Sequence, residues 1–219
     1  MPQQIESIDP ARAVLIVVDM ENDFVKEGAS FEVPAGRAML PRLKRLISFC
    51  RERGIDVIYT THVHRTDGSD MGRYADIYPA IADGSGLKDG TEGIEIYPEI
   101  APEPGEIVLK KHRYSAFFGT DLDIILRGLD TDTVIITGVT TENCCHATAR
   151  DAMFHDYKVA FLSDCTATLA YPDLGYGDLS GEELHRSTLV ALAFSTAHVM
   201  TAEECVAKVV AVESEAAAE

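Results

Sequence analysis

Short apolar runs bounded by polar or turn residues alternate along the chain with longer stretches in which apolar residues recur every three to four positions. The short runs have strand length and fall at 13–19, 56–61, 107–110, 133–138, 158–163 and 197–200. Between them, helical period predicts helices over 36–53, 120–128, 142–155, 181–195 and 202–212. In the first of these, Met39, Leu40, Leu43, Leu46, Ile47 and Cys50 line one stripe, the core-facing side of an amphipathic helix. Strands alternating with helices imply an α/β fold: a six-stranded, mostly parallel sheet with helices on both faces, the three-layer Rossmann-like arrangement. VLIVV at 14–18 and VIIT at 134–137 are apolar on both sides, as central strands covered on each face must be.

Ligands of such sheets collect outside the carboxyl ends of the strands. Three predicted strand ends carry chemistry-bearing residues: Asp19, Lys111 and the stretch 138–145. The segment 62–106 is long, rich in Gly and Pro and poor in period, which predicts a cover wrapped over those ends. A second cover is expected at 170–180, with Tyr171, Pro172, Gly175, Tyr176 and Gly177. The tail ESEAAAE at 213–219 reads as a fraying helix end, and the whole of 1–219 as a single domain without internal repeats.

Composition narrows the function classes. Apolar residues at 46% and charged residues at 25% describe a packed globule and not a disordered chain. A net charge of -17 without clustered Lys or Arg argues against nucleic acid as a partner, and the acidity reads as a solvated surface. Five cysteines, an odd set without disulfide or metal-knuckle spacing, read as reduced thiols. The first residues carry no basic stretch, and the run Ala13–Val18 is too short for a signal core or a membrane span; the expected location is the cytoplasm, with no membrane contact.

The candidate nucleophile lies in GVTTENCCHATARDA at 138–152, where a buried strand ends in Gly138 and a helix follows. A Cys in the first turn of a helix feels the positive end of the dipole, which favours thiolate, and free backbone N–H groups nearby can bind an oxyanion. Successive helix residues point about 100° apart, so only one of Cys144 and Cys145 faces a site. Cys144 is the choice, although both also fit the role of small buried hydrophobes. Asp19 ends the first strand in VVDMENDF at 17–24, as a proton carrier or as the cap of the following turn. Lys111 closes a strand in EIVLKKHRYSAFFGTDL at 106–122, and the two-residue period sets Lys110 and Lys111 on opposite faces. A lysine beside the pair would keep the carboxylate charged and stabilise a thiolate, whereas a lone strand-end lysine more often serves as surface. His62 and His64, in THVHRTDGSD at 61–70, have a spacing that suits metal ligation, but no third ligand stands at an indicative distance; no metal is expected, and the pair reads as hydrogen-bonded or substrate-loop histidines.

Taken together, VVDMENDF, LKKHRYSAF at 109–117 and GVTTENCCHATARDA resemble the three motifs of the isochorismatase-like cysteine hydrolases, in order and over nearly the whole chain. The resemblance implies a catalytic triad of Asp19, Lys111 and Cys144, with a cis peptide at Val139–Thr140 and an oxyanion hole formed by the N–H groups of Thr140 and Cys144. It implies an amidohydrolase that cleaves a C–N bond of a small amide, ureido or carbamoyl compound through a thioester, without a cofactor, as a homodimer or homotetramer. The motifs look closest to the ureido-amide branch, which includes ureidoacrylate amidohydrolase, N-carbamoylsarcosine amidase and the biuret and triuret hydrolases. The metal-binding nicotinamidases of the family carry Asp where His62 stands, although His64 falls on one of their ligand positions. Isochorismatases proper commonly lack the cysteine. Another small substrate of the isochorismatase or nicotinamidase type, or a non-catalytic binding protein on the same fold, are the alternatives. Phe24, His64, Arg65, Tyr114 and Phe117 flank the site and are the expected substrate-binding residues.

Overall fold

A computed structural model describes residues 3–210. Six strands, β1 (Ala13–Val18), β2 (Asp56–His62), β3 (Ile107–Lys111), β4 (Thr133–Val139), β5 (Lys158–Ala167) and β6 (His198–Met200), pair in the order β3-β2-β1-β4-β5-β6. All of these pairings are parallel. The chain therefore builds outward from β1 to one edge, returns to the middle at β4 and builds outward to the other. That reversal leaves a crevice at the carboxyl ends of β1 and β4.

Each strand lies within a residue of its predicted limits except β5, which continues four residues past 163 to Ala167. Phe161 pairs with Ile136 but Thr166 pairs with Gly138, so the residues between form a bulge. Asp164, inside it, accepts the Ala202 N–H at 2.8 Å and meets Arg42 at 3.1 Å. Ser163 and Asp164 interrupt the apolar run, which is why the pattern stopped there.

Around the sheet run α1 (Asn22–Val25), α2 (Pro34–Glu52), α3 (Tyr74–Ile77), α4 (Pro79–Ala82), α5 (Leu122–Gly128), α6 (His146–Phe154), α7 (Gly181–Ser195) and α8 (Ala202–Lys208). Helix α2 starts at Pro34, before its predicted limit, because proline's fixed φ suits the first helical position. Ser180 with Glu183 and Thr201 with Glu204 form reciprocal capping boxes that start α7 and α8. The helix expected over 202–212 stops early. The Ile8 N–H donates to Lys208 O (2.8 Å) and the Val210 N–H to Ile8 O (3.0 Å), which draws Val209 and Val210 out as an extended segment. Residues 211–212 and the tail 213–219 lie outside the described residues.

Two apolar cores flank the sheet with the alternation a two-sided strand requires. Leu15, Val17 and Tyr59 pack with Leu43 and Ile47 of α2 and Cys205 of α8. On the opposite face Val14, Ile16 and Val18 pack with Leu126 of α5, Ala149 of α6 and Leu192 of α7. Among the described residues no helix is long and apolar enough to cross a membrane.

Candidate active site

The crevice depends on a close approach between β1 and β4. Val18 stands opposite Gly138, and a Cβ on residue 138 would lie 2.0 Å from the Val18 carbonyl oxygen, at a φ of +108°. Only glycine lets the two strands run this near. One residue past Val18 the chain turns sharply, with Asp19 at φ +49°. For a non-glycine residue that conformation costs about 1–3 kcal/mol and needs support from its surroundings. Thr60 supplies it: the Asp19 N–H donates to Thr60 O and Oγ1, both at 3.1 Å, and the Thr60 hydroxyl donates to Asp19 Oδ1 at 2.6 Å.

On the far side of β2, Lys111 stands opposite His62 in the register. Its side chain is wholly buried, whereas Lys110 points outward to Asp89 at 2.7 Å. The Lys111 ammonium forms an ion pair with Asp19 Oδ2 (2.7 Å) and donates to Arg113 O (3.0 Å) and Cys144 Sγ (3.4 Å). Burial by itself would strip its proton, but the adjacent Asp19 carboxylate outweighs that and holds the ammonium charged. Carboxylate, ammonium and thiol, far apart in sequence, thus meet at one rim of the sheet.

Cys144 does not open an ordinary α-helix. Thr141–Cys145 is wound as a π turn, closed by the Cys145 N–H donating to Thr140 O at 3.1 Å, and α6 begins only at His146. The Val139–Thr140 peptide is cis. Cys145 turns away from Lys111, its Sγ 3.7 Å from Thr137 O in the core. The expected thiolate character of Cys144 is corrected: burial pushes its thiol well above the ordinary range, and the pull of Lys111 does not offset it. In this closed arrangement the proton sits on sulfur and a base must remove it.

His62 completes the group. One of its ring nitrogens, a carboxylate oxygen of Asp19 and Cys144 Sγ all lie within 4.8 Å of one another. Such a donor set suits a soft divalent ion. The Lys111 ammonium, however, already supplies the positive charge between carboxylate and sulfur. Glu21, fully buried, accepts the His62 N–H at 3.0 Å, and burial together with Asp19 raises it well above the usual carboxyl range, which favours its protonated form.

Cys144 is left 4% exposed. The segment 62–106 is tied to the sheet by Tyr97 N–H to Met20 O (2.8 Å) and Asn22 N–H to Glu95 O (2.9 Å), and it contains α3 and α4, which its weak periodicity did not reveal. From it Tyr74 stacks 4.9 Å from the Tyr114 ring and 5.5 Å from His62, and the Tyr78 and Tyr114 hydroxyls meet at 2.7 Å. The 170–180 cover is anchored by the Tyr171 hydroxyl donating to Glu142 Oε1 at 2.7 Å.

Of the expected substrate-binding residues, Tyr114 and His64 belong to this wall of rings, His64 with its Nδ1 3.4 Å from Asp70. Phe24 stands one ring further back, 5.7 Å from Phe31, which in turn touches Tyr78. Two expectations are corrected. Phe117 packs into the core of the α5–α6 side, stacked on His155 at 5.1 Å. Arg65 points to solvent, its side chain 66% exposed beside Asp67. Thr60, Glu21 and Tyr74 are not among the residues the sequence pointed to; the only signal for Thr60 was its place in the strand register, which becomes readable once the strand order is known.

Residues 13–204 match the model of the isochorismatase domain. A probable inactive nicotinamidase of Arabidopsis thaliana is 35% identical over 163 residues, covering 73% of this chain and 82% of that protein. The ureidoacrylate amidohydrolase RutB of Enterobacter sp. (strain 638) is 31% identical over 189 residues, 76% of this chain and 80% of its own length. Among solved structures, a cysteine hydrolase from Pseudomonas syringae pv. phaseolicola 1448A superposes with a TM-score of 0.90 at 34% identity, covering 95% of this chain and 96% of that one. The chain belongs to the isochorismatase family of hydrolases.

Proposed function

We propose that the chain is a cysteine-dependent amidohydrolase that cleaves a C–N bond of a small amide, ureido or carbamoyl compound. The observation that carries this reading is the Lys111 ammonium set between Asp19 Oδ2 at 2.7 Å and Cys144 Sγ at 3.4 Å. Asp19 takes the thiol proton, sulfur attacks the carbonyl carbon, and the N–H groups of Thr140 and Cys144 receive the oxyanion. Collapse of the tetrahedral adduct breaks the C–N bond, and Asp19 returns the proton to the departing nitrogen, which leaves as ammonia or an amine. Water then gives a proton to Asp19 and its oxygen attacks the thioester; the thiolate leaves and recovers that proton. Lys111 stays charged throughout and offsets the negative charge that moves between carboxylate and sulfur.

The relative named ureidoacrylate amidohydrolase supports the ureido class. The rings of His62, Tyr74 and Tyr114 favour a second reading, a ring-bearing amide such as nicotinamide. Ammonia release from biuret, ureidoacrylate, N-carbamoylsarcosine and nicotinamide tests both. Release from at least one, abolished by Cys144→Ala and accompanied by an acyl adduct on Cys144 in quenched samples, is expected. Release that survives Cys144→Ala overturns the mechanism, and none from any amide overturns the activity.

A further inference from the structure

Cys144 rides on the π turn Thr141–Cys145, so its aim depends on what holds that turn. Thr141, the first residue of the turn, is wholly buried, and its hydroxyl oxygen lies 2.8 Å from Nδ1 of His185 on α7. The other ring nitrogen, Nε2, lies 2.9 Å from Ser163 O. A carbonyl oxygen can only accept, so Nε2 carries the proton; Nδ1 is then an acceptor, and the Thr141 hydroxyl donates to it. A single tautomer satisfies both contacts.

The imidazole therefore spans from the sheet to the nucleophile turn. Ser163 lies in the bulge of β5, and its own hydroxyl donates to Met200 O, at the end of β6, at 3.2 Å. Glu142 and Asn143, the next residues of the turn, are held separately by the Tyr171 hydroxyl, which donates to Glu142 Oε1 at 2.7 Å and accepts from Asn143 Nδ2 at 2.8 Å. Thr141 stands in the chain between Thr140 and Cys144, the two residues whose N–H groups receive the oxyanion in the mechanism above. A shift of Thr141 moves those donors and the sulfur together. Such groups act at full strength only at hydrogen-bonding distance from the charge that develops in the transition state, and losing one donor costs about 10²–10³ in kcat.

On the reading that Cys144 is the nucleophile, we infer that His185 is a positioning residue for the reaction: with its proton on Nε2 it braces Thr141 against the β5 bulge, and so keeps the Cys144 sulfur beside Lys111 and the N–H groups of Thr140 and Cys144 on the reacting carbonyl. It acts through Thr141. Because the donors it aims are used chiefly in the transition state, its loss falls on kcat and leaves substrate binding nearly as it was.

Four variants test this. His185→Leu removes both contacts, and His185→Gln offers an amide oxygen and an amide N–H in their place; Thr141→Val removes the hydroxyl alone, and Thr141→Ser keeps it. On whichever amide of the panel above the parent cleaves, His185→Leu and Thr141→Val are expected to lower kcat by about tenfold or more with KM within about threefold, and His185→Gln and Thr141→Ser to stay within about threefold of the parent. The double variant Thr141→Val/His185→Leu should be within about twofold of the slower single variant, because either change alone breaks the same link. Parental kcat in Thr141→Val or His185→Leu overturns the inference, as do losses that multiply in the double variant. A lowered urea midpoint in His185→Leu with kcat and KM unmoved makes the histidine a purely structural contact and overturns it too. Should His185→Leu fail to fold, the Thr141 pair and His185→Gln carry the same comparison. If the parent cleaves no amide, the activity reading has failed, and the rate at which iodoacetamide alkylates Cys144, located by peptide mass spectrometry, still decides. A thiol moved off the Lys111 ammonium loses the charge that stabilises its thiolate, so alkylation slower by about threefold or more in Thr141→Val upholds the bracing role, and a rate equal to or above the parent's refutes it.

Discussion

Replacing Lys111 by methionine gives the sharpest test of how the site is held together. The ammonium sits 2.7 Å from a fully buried carboxylate, a separation at which unit charges in a medium of effective dielectric near 20 attract by about 6 kcal/mol. Part of that is offset by the cost of burying both ions, but removing one partner strands the other, and such changes destabilise proteins by about 3–5 kcal/mol. Set against a total stability of about 5–15 kcal/mol, the loss is large. Urea unfolding of Lys111→Met should therefore show a deficit of about 3–5 kcal/mol at pH 7. The double variant Asp19→Asn/Lys111→Met removes both charges and should recover most of the loss at pH 7. A single variant within about 1 kcal/mol of the parent at pH 7, or a double variant as unstable as the single, would refute the ion-pair account.

Glu21→Gln keeps the acceptor for the His62 N–H and abolishes titration. Because the folded pKa of Glu21 is raised, the parent should lose about 1.4 kcal/mol per pH unit from roughly pH 4.3 up to that value, and the variant should not; parallel stability-versus-pH curves would contradict this. Gly138→Ala drives a Cβ to 2.0 Å from Val18 O in a left-handed backbone and should cost about 3 kcal/mol or more, read by thermal or urea unfolding; a parent-like transition would show that the strands can part. Cys145→Ala leaves a small core cavity worth about 1 kcal/mol and should keep ammonia release within about twofold, whereas a loss as complete as that of Cys144→Ala would mean that the wrong sulfur was chosen.

The strands were legible because β1 and β4 are apolar on both faces, a pattern no exposed segment can sustain. The end of β5 was not, since its continuation passes through a bulge whose Asp164 is satisfied by Arg42 and Ala202, partners remote in sequence. At the site, the two-residue period set Lys110 and Lys111 on opposite faces and helix geometry set the two cysteines apart, but which of each pair enters the site came only from the resemblance. Direction along loops was another matter. Phe117 and Tyr114 lie three residues apart on one segment, yet one enters the core and the other the ring wall, because the chain between them is irregular and carries no period. The upward push on the Cys144 thiol was equally out of reach: it depends on how completely the fold shuts out water, a three-dimensional quantity that local sequence does not encode.

Burial has a chemical consequence for the thiol itself. A sulfur 4% exposed beside Tyr74 and Tyr114 presents little surface to peroxide, disulfides or bulky maleimides. Its oxidation by peroxide should then be slow in the folded chain and speed up when the chain is unfolded in urea.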